Sequence, residues 1–239
     1  MRHIITIIKK QIKDTLRNKA VLIQFVMFPA LAVIMTRSMQ IEGMPPDFFV
    51  KLFSTMYVGM APLTCIAAII SEEKEKNTLR VLLMADVSSW QYLVGVGSYV
   101  FFFCMLGAGV FCLLGGYTLG QGGVFLLIMA VGILTSLLLG AAVGIGSGSQ
   151  MAATSVTVPV MLLFSFSPML SMFNDHIAKL ARFTYTEQIR LLLNGLGRGE
   201  RTGEGILIIA ANIFLFGSIF WLLYRRQGFK QNQPALTKN

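Results

Sequence analysis

Six stretches of the chain contain no Lys, Arg, Asp or Glu: residues 20–36, 52–70, 92–115, 124–145, 152–173 and 206–224. A helix rises 1.5 Å per residue, so about 20 apolar residues cross a hydrocarbon core of about 30 Å. The runs approach or exceed that length, and their unbroken apolar character predicts a helical bundle rather than a barrel, whose strands alternate in polarity. The charge deficit agrees, since 13% of the 239 residues are charged against about 25% in a soluble domain. The expected fold is an all-α integral membrane protein, a single transmembrane domain over residues 1–239 with six transmembrane helices.

The first run is longer than the apolar core of a signal peptide and ends at Arg37 without a small-residue cleavage site, so it is expected to remain as an anchor. Thirteen Lys and Arg fall in the N-terminal stretch, the loop between the second and third runs, and the tail; seven fall on the other side. The positive-inside rule then puts both termini in the cytoplasm. Residues 1–19 form a basic amphipathic pattern. Ile4, Ile5, Ile8, Ile12 and Leu16 share one helical face, Lys9, Lys10, Lys13 and Arg17 another, and Ile7 alone falls outside. Such a segment is expected to lie in the membrane interface with those four cations at the lipid phosphates. The net charge of +9 therefore belongs to a rim facing anionic lipid rather than nucleic acid.

The chain has no G-x-x-x-x-G-K-[S/T] motif, so it cannot hydrolyse ATP through a phosphate-binding loop of that kind. No charge lies inside a run, which argues against an ion-coupled pump. No Asp pair, Ser–His pair or H-E-x-x-H offers catalysis, and no cluster of Cys, His and carboxylates offers a metal site. Cys65, Cys104 and Cys112 are expected to pack among apolar neighbours, and His3 and His176 to face water. Gly140, Gly144 and Gly148 recur every fourth residue, a face suited to close helix packing in lipid. Pro29, Pro62, Pro159 and Pro168 lie within runs and would free backbone carbonyls. Between the fifth and sixth runs, residues 174–205 contain two short amphipathic pieces. Thr186 is the expected cap of the second and Gly195 its end, and Gly197, Gly199, Gly203 and Gly205 are expected to continue as a loop.

The loop 71–91 is charged at its front and apolar at its rear. As one helix it would place Thr78, Leu79, Leu82 and Leu83 on one side, with Glu72, Glu73, Glu75 and Lys76 around its start, where carboxylates suit the dipole. That is the pattern of a helix that plugs into a partner's groove. Here the sequence resembles the ABC-2 family of transporter permeases, in which a loop approximating E-R-E-x-G-T-L-E-x-L-L-x-x-P-x-S-x-x-x-x-x-G-K follows the second span. Glu73, Lys74, Glu75, Asn77, Thr78, Leu79, Leu82, Leu83, Ser88 and Gly95 fall in corresponding places. Asn77 replaces the glycine, Arg80 the second glutamate, Asp86 the proline and Val96 the lysine.

The resemblance extends along the whole chain and implies an interfacial N-terminal helix, six spans and short re-entrant helices before the last span. It also implies that Glu73, Lys74, Glu75, Asn77, Thr78, Leu79, Leu82 and Leu83 couple the chain to a separate ATP-binding subunit. Two copies of that subunit would bind ATP and Mg, and a second permease, identical or related, would complete the pathway. This chain would be no enzyme by itself and hold no cofactor. The function implied is export of an amphipathic or hydrophobic compound, such as a peptide, antibiotic or lipid-linked molecule, across a bacterial plasma membrane, in a setting such as resistance or immunity. The alternative is a non-transporting membrane sensor or assembly component that binds another membrane protein through its glycine faces.

Overall fold

The computed structural model describes residues 5–8, 10–12, 19–39, 42–84, 88–196 and 203–226. Among the described residues there is helix and no strand. Residues 5–8 and 10–12 are helical, and nine further helices follow: α1 Lys19–Ser38, α2 Phe48–Glu75, α3 Thr78–Met84, α4 Ser89–Leu114, α5 Leu119–Gly146, α6 Gln150–Leu170, α7 Asp175–Ala181, α8 Tyr185–Gly195 and α9 Gly203–Arg226. Five of them, α2, α4, α5, α6 and α9, are long and apolar enough to cross a membrane; the apolar part of α1, Leu22–Ser38, is shorter. The expected all-α membrane architecture is therefore present in these helices.

The bundle is built around α2, which packs against α1, α4, α5, α6 and α8. Small residues make this crowding possible where lipid supplies no hydrophobic drive for helix association. A Cβ on Gly59 would stand 2.8 Å from the Ser165 Cα on α6, and one on Gly144 of α5 would stand 2.9 Å from Ile70. Gly140 likewise faces the Leu63 carbonyl, while Gly148 meets open space. The glycine face thus finds its partner inside the same chain, through two of its three members.

Pro62 sits in the middle of this packing. A proline has no N–H and leaves the carbonyl four residues earlier without its helical donor. That carbonyl belongs to Val58, and the Ser136 hydroxyl of α5 donates to it at 2.5 Å. The same hydroxyl lies 3.1 Å from the Gly132 carbonyl of its own helix and shares a hydrogen bond of 2.7 Å with the Tyr185 hydroxyl, in which either oxygen can donate. Tyr185 opens α8 and is fully buried, its ring 5.2 Å from Phe164 and 5.9 Å from Phe216. One hydrogen-bonded chain therefore ties α8 to α5 and α2 at a proline-made gap.

Several boundaries differ from expectation, each for a local reason. Helix α2 continues to Glu75, so Glu72, Glu73 and Glu75 close a spanning helix instead of opening the loop helix. The cap of α8 is Thr184, whose hydroxyl accepts from the Glu187 amide, whereas Thr186 is fully buried. Gly195 is the last residue of α8 as expected, but Gly203 and Gly205 belong to α9. Gly205 lies in the first turn because Gln188 Oε1 would be 2.9 Å from any Cβ there; Gly197 and Gly199 lie outside the described residues. Helix α6 stops at Leu170, where the Ser171 hydroxyl turns to Glu187 Oε2 at 2.9 Å. Glu187 is buried and also pairs with Arg190, whose Nε is 3.0 Å from the same oxygen. At the same end, Lys51 pairs with Asp47 at 2.6 Å. Burial, and then the Asp47 carboxylate, push the Tyr117 phenol above its ordinary value.

The Val58 gap can be tested by a double-mutant cycle. Ser136→Ala leaves a buried carbonyl without a donor and is expected to lower unfolding free energy in detergent by about 1–2 kcal/mol. In a Pro62→Ala background, where residue 62 regains an N–H for Val58, the same substitution is expected to cost less than half as much. Equal costs in both backgrounds would show that Pro62 does not create the need for Ser136.

Candidate functional site

Carboxylates at the end of a helix oppose its dipole, and the last turn of α2 carries Glu72, Glu73 and Glu75. Successive helical residues point 100° apart, so this turn reaches in every direction, and each charge has a partner. Glu72 accepts from Lys76 at 2.5 Å along its own helix, in the favourable order of acid before base. Glu73 Oε1 accepts from Lys10 Nζ at 2.7 Å and from Gln11 Nε2 at 2.6 Å, which clips the N-terminal helical segment to α2. Lys74 Nζ donates to the Ile145 and Ser147 carbonyls at 2.5 and 2.6 Å, satisfying carbonyls that the end of α5 leaves open. Glu75 Oε2 accepts from the Gln150 amide at 2.7 Å, at the start of α6. Three consecutive side chains thus fasten the N-terminal segment, α5 and α6.

The chain then turns at Asn77, whose φ of +55° makes it the described non-glycine residue in the left-handed region. Asparagine tolerates that region better than other side chains, which is why it can stand where a helix terminus usually needs glycine. The Thr78 hydroxyl donates to the Glu73 carbonyl at 3.1 Å, and Leu79 is buried. These contacts seat α3 on the end of α2. Its outer face carries Val81 and Met84, 60% and 71% exposed. Ser88 and Gln91 then form a reciprocal capping box that starts α4. Gly95 leaves room for Ile7, whose Cγ2 would be 2.9 Å from a Cβ there.

The expected coupling residues are therefore brought together, with most of them turned toward the chain itself. Glu73, Lys74 and Glu75 hold neighbouring elements, Asn77 makes the turn, Thr78 caps and Leu79 anchors. The backbone of Leu82 and Leu83 continues α3; their side chains lie outside what the structure describes. Val81 and Met84, which the helical projection did not select, are the outward apolar pair. A run of four apolar residues, Val81 to Met84, contains no period from which to choose a face. The N-terminal segment is rotated relative to expectation as well. Ile7 is buried and Ile5 is 54% exposed, because the tie from Gln11 and Lys10 to Glu73 sets the rotation. Lys10 serves that tie; Lys9, Lys13 and Arg17 lie outside the described residues.

At the opposite end of the bundle, an apolar groove of about 410 Å³ lies between α5, α8 and α9, with Val124, Leu127, Leu192 and Ile206 on its walls. Among the described residues, no three His, Cys, Asp or Glu side chains converge as a metal ion would require. No protein-family model matches the chain, and no curated protein matches it.

Substitutions at two positions test this construction. Asn77→Gly is expected to leave stability unchanged or slightly raised, whereas Asn77→Val forces a β-branched residue to positive φ and is expected to cost about 1–2 kcal/mol; equal stabilities would show that the turn relaxes. Glu73→Ala removes the acceptor shared by Lys10 and Gln11 and is expected to speed proteolysis within residues 5–12 in the purified protein. An unchanged cleavage rate would mean that Ile7 on Gly95 holds the segment alone.

Proposed function

We propose that this chain is the membrane-spanning subunit of an ABC-2 type exporter, moving an amphipathic or hydrophobic compound across a plasma membrane. In this reading α1 joins the five longer helices as a sixth span, both termini are cytoplasmic, and α7 and α8 form the re-entrant pair before the last span. Helix α3 docks on a separate ATP-binding subunit, two copies of which hold ATP and Mg, and a second permease faces this one.

The observation that carries the reading is the outward apolar pair Val81 and Met84 on a short helix at the charged end of the bundle. An apolar pair on a surface outside the apolar spans suits burial against a partner protein. The supporting observation is that α3 is seated on the end of α2 by the buried Leu79 and the Thr78 hydroxyl. A push on it passes through Leu79 and the Asn77 turn into the last turn of α2, and from there through Lys74 and Glu75 to α5 and α6. Nucleotide-driven closure of the partner would therefore move three long helices together. Apolar walls such as those of the groove beside α8 suit an amphipathic cargo.

The test is purification of the tagged chain in mild detergent after expression with its neighbouring genes, followed by mass spectrometry and an ATPase assay. A P-loop ATPase is expected to co-purify with the wild type and to be lost from a Val81→Asp, Met84→Asp variant that keeps the wild-type melting temperature. Leu79→Ala is expected to lower stability by about 2–4 kcal/mol instead, as a buried large-to-small change. If no ATPase accompanies the wild type, the chain is a non-transporting membrane component. If the ATPase stays with the doubly charged variant, α3 is not its dock.

A further inference from the structure

From Ser54 to Ser71 each residue of α2 is buried except Met60 and Ala68, which are partly exposed. Thr64, 9% exposed, stands between them at intervals of four, so the most buried helix is left open along one line on the Glu73 side of its midpoint. The opening lies between α1 and α6. Phe28 of α1 meets Phe53 and Tyr57 on one side of α2, while the Ser165 backbone of α6 closes on Gly59 on another. Gln24 of α1, itself partly exposed, stands at this seam. Its Oε1 lies 3.2 Å from the Thr64 hydroxyl and 2.9 Å from the Cys65 thiol. Among the described residues, the amide nitrogen at the other end has no acceptor. With α1 as a span, this nitrogen is near the level of Thr64, three residues past the middle of the run 52–70 and so about 5 Å from the bilayer centre. An unsatisfied donor is costly in hydrocarbon, and the contacts of Oε1 keep the amide from turning to the interface.

A matching acceptor is found on the other flank of the seam. Thr154 of α6 is exposed, and its hydroxyl donates to the Gln150 carbonyl at 2.9 Å, which leaves its oxygen able to accept. The bond from Ser165 to the Met56 carbonyl fixes the heights of α6 and α2 against each other. Thr154 lies eleven residues from Ser165 and Thr64 eight from Met56, both toward the Glu73 end, so the two differ in height by about 5 Å. Direction follows from the same geometry. Ala153 and Thr157 are buried, and because α6 runs antiparallel to α2, the 100° step from each of them to Thr154 and Val158 turns toward the seam. Within one chain Gln24 and Thr154 are not bonded to each other.

We infer that a second copy of this chain docks over the seam, about a two-fold axis along the bilayer normal, with Gln24 Nε2 of each copy donating to Thr154 Oγ1 of the other. Such an axis preserves height, so a donor and an acceptor at similar depth on one chain become partners between two, and the contact is made twice. It sets α1 of each copy against α6 of the other and encloses the open lines of the two α2 helices between them. Hydrogen bonds between helices are one of the few forces that hold them together where lipid is as apolar as the side chains. The inference rests on α1 being a span, and it makes the second permease of the proposed exporter an identical one.

The test mixes full-length copies labelled at the C-terminus with donor or acceptor fluorophores and reads energy transfer in phosphatidylcholine vesicles as the protein is diluted in lipid. Neither ATPase nor cargo is present. A dimer is expected, and Thr154→Val is expected to weaken it roughly tenfold with the melting temperature kept. Gln24→Leu is expected to do the same, the double variant to be no weaker than either single one, and Thr154→Ser, which keeps the hydroxyl, to dimerise like the wild type. Oxidation of a mixture of Met27→Cys and Val158→Cys copies, each about a turn above the pair, is expected to give a cross-linked dimer that neither population gives alone. A chain that stays monomeric at every dilution overturns the inference, as does a dimer that Thr154→Val does not weaken and the mixture does not cross-link. A monomer that still co-purifies with an ATPase would keep the exporter reading with a non-identical second permease. A dimer of the expected kind with no ATPase would keep this interface and remove that reading.

Discussion

The hydrogen bond from Ser136 to the Val58 carbonyl is the contact on which the arrangement of the bundle turns. Inside a bilayer there is no water to satisfy a backbone group, so every carbonyl released by a proline must find a donor from protein. Pro62 releases one near the centre of the most buried helix, and the donor reaches it from α5. The same hydroxyl is hydrogen-bonded to that of Tyr185, which draws the start of α8 deep among the long helices. The segment that follows α6 then has little choice of path. Ser171, Glu187 and Arg190 pair with one another because α8 brings Glu187 to a buried position where an unpaired carboxylate would be costly.

The Glu73 end is organised by the opposite problem, an excess of charge where a helix stops. Three carboxylates at a helix C-terminus are individually unfavourable, and the chain turns each into a connection. The result is a junction tied to several elements, with the apolar side chains of Val81 and Met84 exposed on the short helix that projects from it. On the proposed reading, ties and exposure are two requirements of the same device, since a docking helix transmits force only if its own base does not yield. The residues that carried the family resemblance mostly supply the ties.

The five long apolar helices were legible because lipid imposes a length and a composition that no other solvent does; their runs map onto α2, α4, α5, α6 and α9 within a turn or so at most ends, and the first run maps onto α1, whose apolar part is shorter. The glycine face was legible because close approach has few other sequence signs. What escaped were rotations. Ile7 rather than Ile5 is buried because a tie from Gln11 to Glu73, distant in sequence, sets the twist of the segment. The face of α3 is set by the Asn77 turn, whose positive φ is a property of one residue and leaves no mark on hydrophobic period. Thr184 and Thr186 are equally good caps by composition; burial of Tyr185 next to them decides which is used.

The three ties at the end of α2 have a consequence for how this protein can vary. Glu73, Lys74 and Glu75 reach three different elements only because their directions differ by fixed steps of 100° and their heights by 1.5 Å. Adding or deleting a single residue between Ile70 and Asn77 would turn the whole set by one step, aiming Lys74 where Glu75 belongs. Inserting four residues nearly restores the direction but lifts the set by about 6 Å, beyond the reach of α5 and α6. Side chains here can be exchanged within their chemistry, but the register cannot drift, so chain length between these two points is a stricter specification of this protein than any one of the amino acids in it.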